Sequence, residues 1–184
     1  LREKNPKYIC FVLDSRGPTF RHEAFEAYKA TRQKMPEDLA VQFPYIIEAV
    51  EAMGIPVVSR EGLEADDVIA GAARRFRNAA EVCIVSGDKD LMQLVDGGTT
   101  VWDTLKDARY DAQAVKEKFG VPPEYIPDLL AIMGDSSDNV PGVKGIGEKG
   151  ARELVGRFGH LEDIIRNASS IGNPRLARAL ADGA

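Results

Sequence analysis

The chain has 184 residues, of which 44% are hydrophobic and 29% charged, with a formal net charge of −5. That length suits one domain with a small appendage, and the composition excludes disordered, collagen-like and low-complexity classes. No apolar run approaches the roughly 20 residues that span a bilayer and no charged-then-apolar leader is seen, so the expectation is a cytoplasmic protein without membrane contact.

Tyr8 to Leu13 (YICFVL) is a continuous apolar run ended by Asp14, Ser15 and Gly17, the pattern of a strand buried on both faces. Residues 21–32 carry helical spacing and stop before Met35-Pro36. A second helix is predicted over 37–53, kinked or divided at Pro44 and stopped by Gly54. Residues 55–58 read as a short strand, 65–76 as a helix and 82–86 (VCIVS) as a further buried strand. A helix follows from about 89 to 95, and 100–102 is a weak fourth strand. Strands alternating with helices predict a parallel α/β sheet. Cys10 and Cys83 lie inside the apolar runs and read as buried small hydrophobes, so no oxidising compartment is required.

From Asp111 the character changes. Helices are predicted over 111–119, 123–133, 148–158 and 161–167, with no strand, and a glycine-rich loop over 134–147 joins the middle two. The chain therefore divides into an α/β part, 1–110, and a helical part, 111–184.

Charge is unevenly spread. Residues 1–34 hold eight Lys/Arg against four Asp/Glu, residues 141–184 hold seven against five, and the middle holds nine against twenty. A solvated acidic surface would explain the middle, but the acids are grouped. Asp14 ends the first strand, Glu64, Asp66 and Asp67 open the helix after the second, and Asp88 and Asp90 follow the third. Asp135 and Asp138 lie in the glycine-rich loop. In a parallel α/β sheet the carboxyl ends of the strands share one rim, where these groups are expected to converge. Taken singly, each acid reads equally well as a helix cap. Crowded together they repel, by roughly 3 kcal/mol for a pair 5 Å apart at an effective dielectric of 20. All-oxygen ligation selects hard ions, Mg²⁺ or Mn²⁺, and two such ions would suit phosphodiester hydrolysis.

Basic groups supply the complement. Arg21, Phe25, Tyr28, Lys29 and Arg32 share a helical face, which suits phosphate contact and base stacking or, alternatively, an amphipathic helix on a core. The run Gly142-Val143-Lys144-Gly145-Ile146-Gly147-Glu148-Lys149 leads straight into a helix, where backbone N–H groups can approach a phosphate. It is not a Walker A loop and is similar to a helix–hairpin–helix element gripping one DNA strand.

Residues 14–21 (DSRGPTFR), 28–32 (YKATR), 64–67 (EADD), 87–90 (GDKD) and 134–147 (GDSSDNVPGVKGIG) together resemble the 5′ nuclease (5′-3′ exonuclease) domain of bacterial DNA polymerases I, within the flap endonuclease family. The likeness runs from about residue 8 to 158. It implies a PIN-like parallel sheet flanked by helices, followed by an all-helical helix–three-turn–helix subdomain that clamps DNA. It implies a metal-dependent 5′-3′ exonuclease and flap endonuclease acting on 5′ flaps, nicked or gapped duplex and RNA primers in replication and repair. By the same resemblance Asp14, Glu64 and Asp66 would hold one Mg²⁺ or Mn²⁺ ion and Asp88, Asp90 and Asp138 a second, with Asp67 and Asp135 in support. Arg21, Lys29 and Arg32 match basic residues near the scissile phosphate, and Tyr28 a stacking aromatic. Gly142, Lys144, Gly145, Gly147 and Lys149 would hold the duplex backbone, with a K⁺ on the turn carbonyls. A fused polymerase and a bacterial, nucleoid-associated setting belong to the same implication.

One departure stands out. The family opens with an earlier strand ending in a further catalytic Asp, whereas only seven residues precede Tyr8. The expectation is a nuclease core incomplete at its N-terminus, with exposed strand edges. A second reading follows, an inactive fragment that binds duplex or junction DNA without cutting it. A third, a PIN-like ribonuclease, ranks below both because the glycine turn suits duplex DNA.

Overall fold

The computed structural model describes residues 5–172 and 174–182. Contacts within the chain separate two compact units, residues 1–71 and 72–184.

In the first unit, strand β1 (Phe11–Val12) runs parallel to β2 (Val57–Val58), pairing Phe11 with Val57 and Val12 with Val58. The Leu13 amide donates to the Val58 carbonyl at 2.9 Å, so Asp14 leaves the ladder at its carboxyl end. Helix α1 (Phe20–Ala24) opens on Thr19, whose amide donates to His22 Nδ1 at 3.2 Å. The helix expected over 21–32 stops there. Phe25 is extended, and the chain turns onward with Lys29 at φ +55°. Helical spacing is overridden because Tyr28 and Lys29 bond to Glu64, far off in sequence, along a path a continuous helix does not follow. Helix α2 (Glu37–Ala52) contains Pro44 without dividing, and none of its residues is buried. Proline there removes one donor from the ladder while the turns on either side persist. Helix α3 (Ala65–Phe76) spans the predicted residues, and the division between the units falls within it.

In the second unit, β3 (Val82–Val85) is parallel to β4 (Thr99–Asp103), and β5 (Ala108–Tyr110) is antiparallel to β4. The sheet is thus mixed rather than wholly parallel. β5 escaped the sequence reading because Ala-Arg-Tyr offers no apolar run. Thr99, Val101 and Asp103 alternate inward on β4. On β3 only Ile84 is buried, and the two cysteines, Cys83 and Cys10, are both exposed. That corrects the expectation of buried thiols: an apolar run indicates a strand but not how many of its faces are covered.

A 3₁₀ turn (Asp90–Leu94) replaces the helix expected after β3. Helix α4 (Ala112–Phe119) is capped by Asp111, which accepts from the Ala114 amide at 2.8 Å, and closes at Gly120 in a left-handed conformation. A 3₁₀ turn (Pro123–Tyr125) leads into α5 (Ile126–Met133), whose Ile126, Leu129 and Ile132 are buried. α6 (Glu148–Phe158) contributes Ala151 and Val155 to the same core, and α7 (Leu161–Arg166) contributes Ile164. α8 (Pro174–Asp182) was not anticipated and adds Leu180.

The helical part also carries two unexpected two-residue strands, β6 (Gly134–Asp135) and β7 (Val140–Pro141), paired antiparallel. A Cβ on Gly134 would lie 2.3 Å from the Gly142 nitrogen, and one on Gly142 2.3 Å from the Met133 carbonyl carbon. The two backbones meet at a distance that only glycine permits. Among the described residues no helix is long and apolar enough to cross a membrane.

Candidate metal centre and phosphate-facing residues

The first unit gathers its predicted site residues around the start of α3. Asp14 accepts from the Ala65 amide at 2.8 Å, satisfying one orphan donor of that helix. Asp67 accepts from the Glu64 amide at 3.0 Å. Both oxygens of Asp67 also receive Arg21, in two parallel 2.8 Å bonds. The paired bonds from Arg21 hold the Asp67 carboxyl below the usual range, and Asp67 in turn raises Arg21. Glu64 is buried and fully engaged: Oε1 accepts from Lys29 Nζ at 2.6 Å and Oε2 from the Tyr28 hydroxyl at 2.9 Å, with Arg21 Nη1 at 3.6 Å. Arg32 is exposed, and Asp66 sits in the first turn of α3. Here Glu64 and Asp67 are neutralised by the chain's own cations, Lys29 and Arg21.

The second unit is different. Asp88 Oδ1 accepts from the Asp90 amide at 2.9 Å, a local turn that presents both carboxylates just beyond β3. Burial, followed by the charges of Asp88 and Asp135, pushes the Asp90 pKa up to about 6. Its Oδ1 is buried and has no hydrogen-bond partner in the protein. Asp135, on β6, is buried too, which raises its pKa, but hydrogen bonds from Ser137 and Lys89 outweigh that and leave it below the ordinary value. Ser137 donates to Asp135 Oδ1 through its amide at 2.8 Å and through its hydroxyl, and Lys89 Nζ lies 3.0 Å from Oδ2. Asp138 adds a further negative charge acting on Asp90.

Among the described residues no three His, Cys, Asp or Glu side chains form a ready metal cage. The second unit's donors nonetheless suit a hard cation. They are all carboxylate oxygens, one of them is buried without a partner, and their mutual repulsion is relieved by positive charge.

The glycine turn presents Gly142, Lys144, Gly145 and Gly147 exposed ahead of α6, with Gly147 at its N-cap and Gly145 at φ +89°, and Lys149 is exposed in the first turn of the helix. Ile146 anchors the turn in the core, and the Val143 amide donates to the Ile132 carbonyl at 2.8 Å.

Sequence reading missed Lys89 and Ser137, the partners of Asp135, and the fork between Arg21 and Asp67. Lys89 lay between two singled-out acids, Asp88 and Asp90, which was the available signal.

A model of the 5′-3′ exonuclease N-terminal resolvase-like domain matches residues 1–120, and one of the 5′-3′ exonuclease C-terminal SAM fold matches 121–184. DNA polymerase I of Pseudomonas aeruginosa is 51% identical over 174 residues, covering 93% of this chain and 19% of that protein. A 5′-3′ exonuclease of Aquifex aeolicus is 40% identical over 168 residues, covering 91% of this chain and 58% of that protein. The structure of a bacteriophage T5 flap endonuclease in a pseudo-enzyme–product complex with DNA and metal ions matches with a TM-score of 0.85 at 26% identity, covering 99% of this chain and 72% of that one. The chain spans about a fifth of the length of the DNA polymerase I relatives.

Proposed function

Because this chain belongs to the 5′-3′ exonuclease family, we propose that it hydrolyses DNA phosphodiesters at 5′ ends and 5′ flaps with the help of divalent metal ions. The observation that carries this reading is the match of the two domain models in sequence over residues 1–120 and 121–184. Asp88, Asp90 and Asp138 would hold one ion, with Asp135 oriented beside them by Ser137. Asp14, Glu64 and Asp66 would hold another. The chemistry such ions supply when bound, Mg²⁺ or Mn²⁺, is a lowered pKa of the attacking water and stabilisation of the leaving oxygen.

The chain's own groups do the positioning. Tyr28 and Lys29 orient the Glu64 carboxylate, and Arg21 orients Asp67. Arg21, Lys29 and Arg32 offer cations to the phosphate undergoing cleavage. The exposed turn from Gly142 to Lys149 grips the duplex backbone through amides and lysines, which positions DNA without reading its sequence. A K⁺ on the turn carbonyls, action on nicked or gapped duplex and RNA primers, fusion to a polymerase and a nucleoid setting complete the proposal. So does the functional division into a nuclease core, 1–110, and a DNA-binding part, 111–184.

Replacing Asp88 and Asp90 together by Ala should lower Mg²⁺-dependent cleavage of a 5′-flap duplex by about 100-fold or more, with duplex binding nearly unchanged. Cleavage at the parental rate would contradict the assignment. A second reading, binding without cleavage, is favoured by the engagement of Glu64 and Asp67 with Lys29, Tyr28 and Arg21. It predicts salt-sensitive duplex binding with no turnover in any divalent ion.

A further inference from the structure

We propose that Lys89 is a resident counter-cation of the acidic cluster in the second unit, its ammonium holding Asp135 until a divalent ion takes its place. Metal entry is then an exchange of one cation for another. The inference rests on the reading of Asp88, Asp90, Asp135 and Asp138 as a metal seat.

Three observations carry it. First, Lys89 Nζ lies 3.0 Å from Asp135 Oδ2, while Ser137 occupies Oδ1. One oxygen of this buried carboxylate is locked by the fold and the other by a side chain that can leave. Second, Lys89 is the residue between Asp88 and Asp90, and its charge acts on Asp90 against those of Asp88, Asp135 and Asp138. It offsets the repulsion that four carboxylates would otherwise impose on the metal-free protein. Third, the Lys89 side chain is 40% exposed against 11% for Asp135, so the ammonium has an open route to water. A single charge on a flexible stem exchanges readily, unlike the bidentate guanidinium that Arg21 sets on Asp67. Lys89 is in this sense a positioning residue for Asp135 and not a group that touches the reacting atoms.

The test is calorimetric titration of the 184-residue chain with Mn²⁺, beside thermal melting in EDTA. Lys89→Met should bind Mn²⁺ about three- to tenfold more tightly than the parent. It should melt at a lower temperature in EDTA and gain more from added Mn²⁺. Lys89→Arg, which keeps the charge and can grip Asp135 through two bonds, should bind Mn²⁺ no more tightly than the parent, and tighter binding by it would overturn the proposal. Lys89→Gln carries the same expectation as Lys89→Met if the latter does not fold. In an Asp135→Asn background the tightening should vanish. Equal or weaker Mn²⁺ binding by Lys89→Met overturns the proposal and leaves the metal seat standing, as does the same tightening in the Asp135→Asn background. Absence of Mn²⁺ binding by parent and variant alike overturns the metal seat itself, and this inference with it.

Discussion

Arg21 and Asp67 are joined by two parallel bonds of 2.8 Å, and the guanidinium holds the carboxyl below its usual range. A group whose folded pKa is depressed adds stability that is present above its unfolded value, near 3.9, and is lost as pH falls through the folded one. Asp67→Asn should therefore cost about 1 kcal/mol at neutral pH, allowing for partial solvent exposure. In urea unfolding, the loss of stability below about pH 4 should be shallower in the variant than in the parent. Parallel pH profiles would contradict the pairing. Asp90 shows the opposite environment, with burial and like charges moving it up to about 6. Asp103 shows a third: it is buried on β4 and accepts from the Leu105 and Lys106 amides, closing the turn to β5. Position at strand exits made Asp14, Asp88 and Asp90 legible as candidates in the sequence. Which acids the chain would neutralise itself was not legible, because Arg21 and Lys29 reach Asp67 and Glu64 across 46 and 35 residues.

At the scale of elements, the glycine turn depends on a backbone contact rather than on side chains. A Cβ at Gly142 would sit 2.3–2.5 Å from the Met133 carbonyl and the Gly134 nitrogen, whereas one at Gly145 meets nothing within 4 Å. Gly142→Ala should accordingly destabilise the helical part by about 3 kcal/mol or more, since two backbones must part. Gly145→Ala should cost about 1 kcal/mol, for the left-handed φ alone. Thermal melting of the two variants checks the order, and equal costs would contradict the close approach of β6 to the residues after β7. Helices α3, α4 and α6 were readable because apolar period and stop signals agree, as at Asp111 and Gly120 around α4. α1 was read too long, since the bonds that end it come from Glu64. β6 and β7 were invisible because two-residue strands carry no period and are made by glycine packing.

For the whole molecule, a net charge of −5 would by itself speak against nucleic acid, yet its distribution supports it. The basic residues lie towards the two ends and the acids concentrate between them, so the overall sum hides both a carboxylate cluster and the cations proposed above to meet phosphate. Five short motifs in a fixed order made the family legible where composition could not. The 26% identity to the T5 flap endonuclease, with a TM-score of 0.85, shows how far side chains can diverge while the fold is kept. Whether this chain cuts DNA with divalent metal is decided by cleavage of a labelled 5′-flap duplex by the 184-residue chain, with Mg²⁺ and with EDTA. A two-metal nuclease releases the flap with Mg²⁺ and leaves it intact with EDTA. An intact flap in both, with the duplex still shifted by the protein on a gel, would contradict the proposed cleavage and leave a DNA-binding chain without turnover.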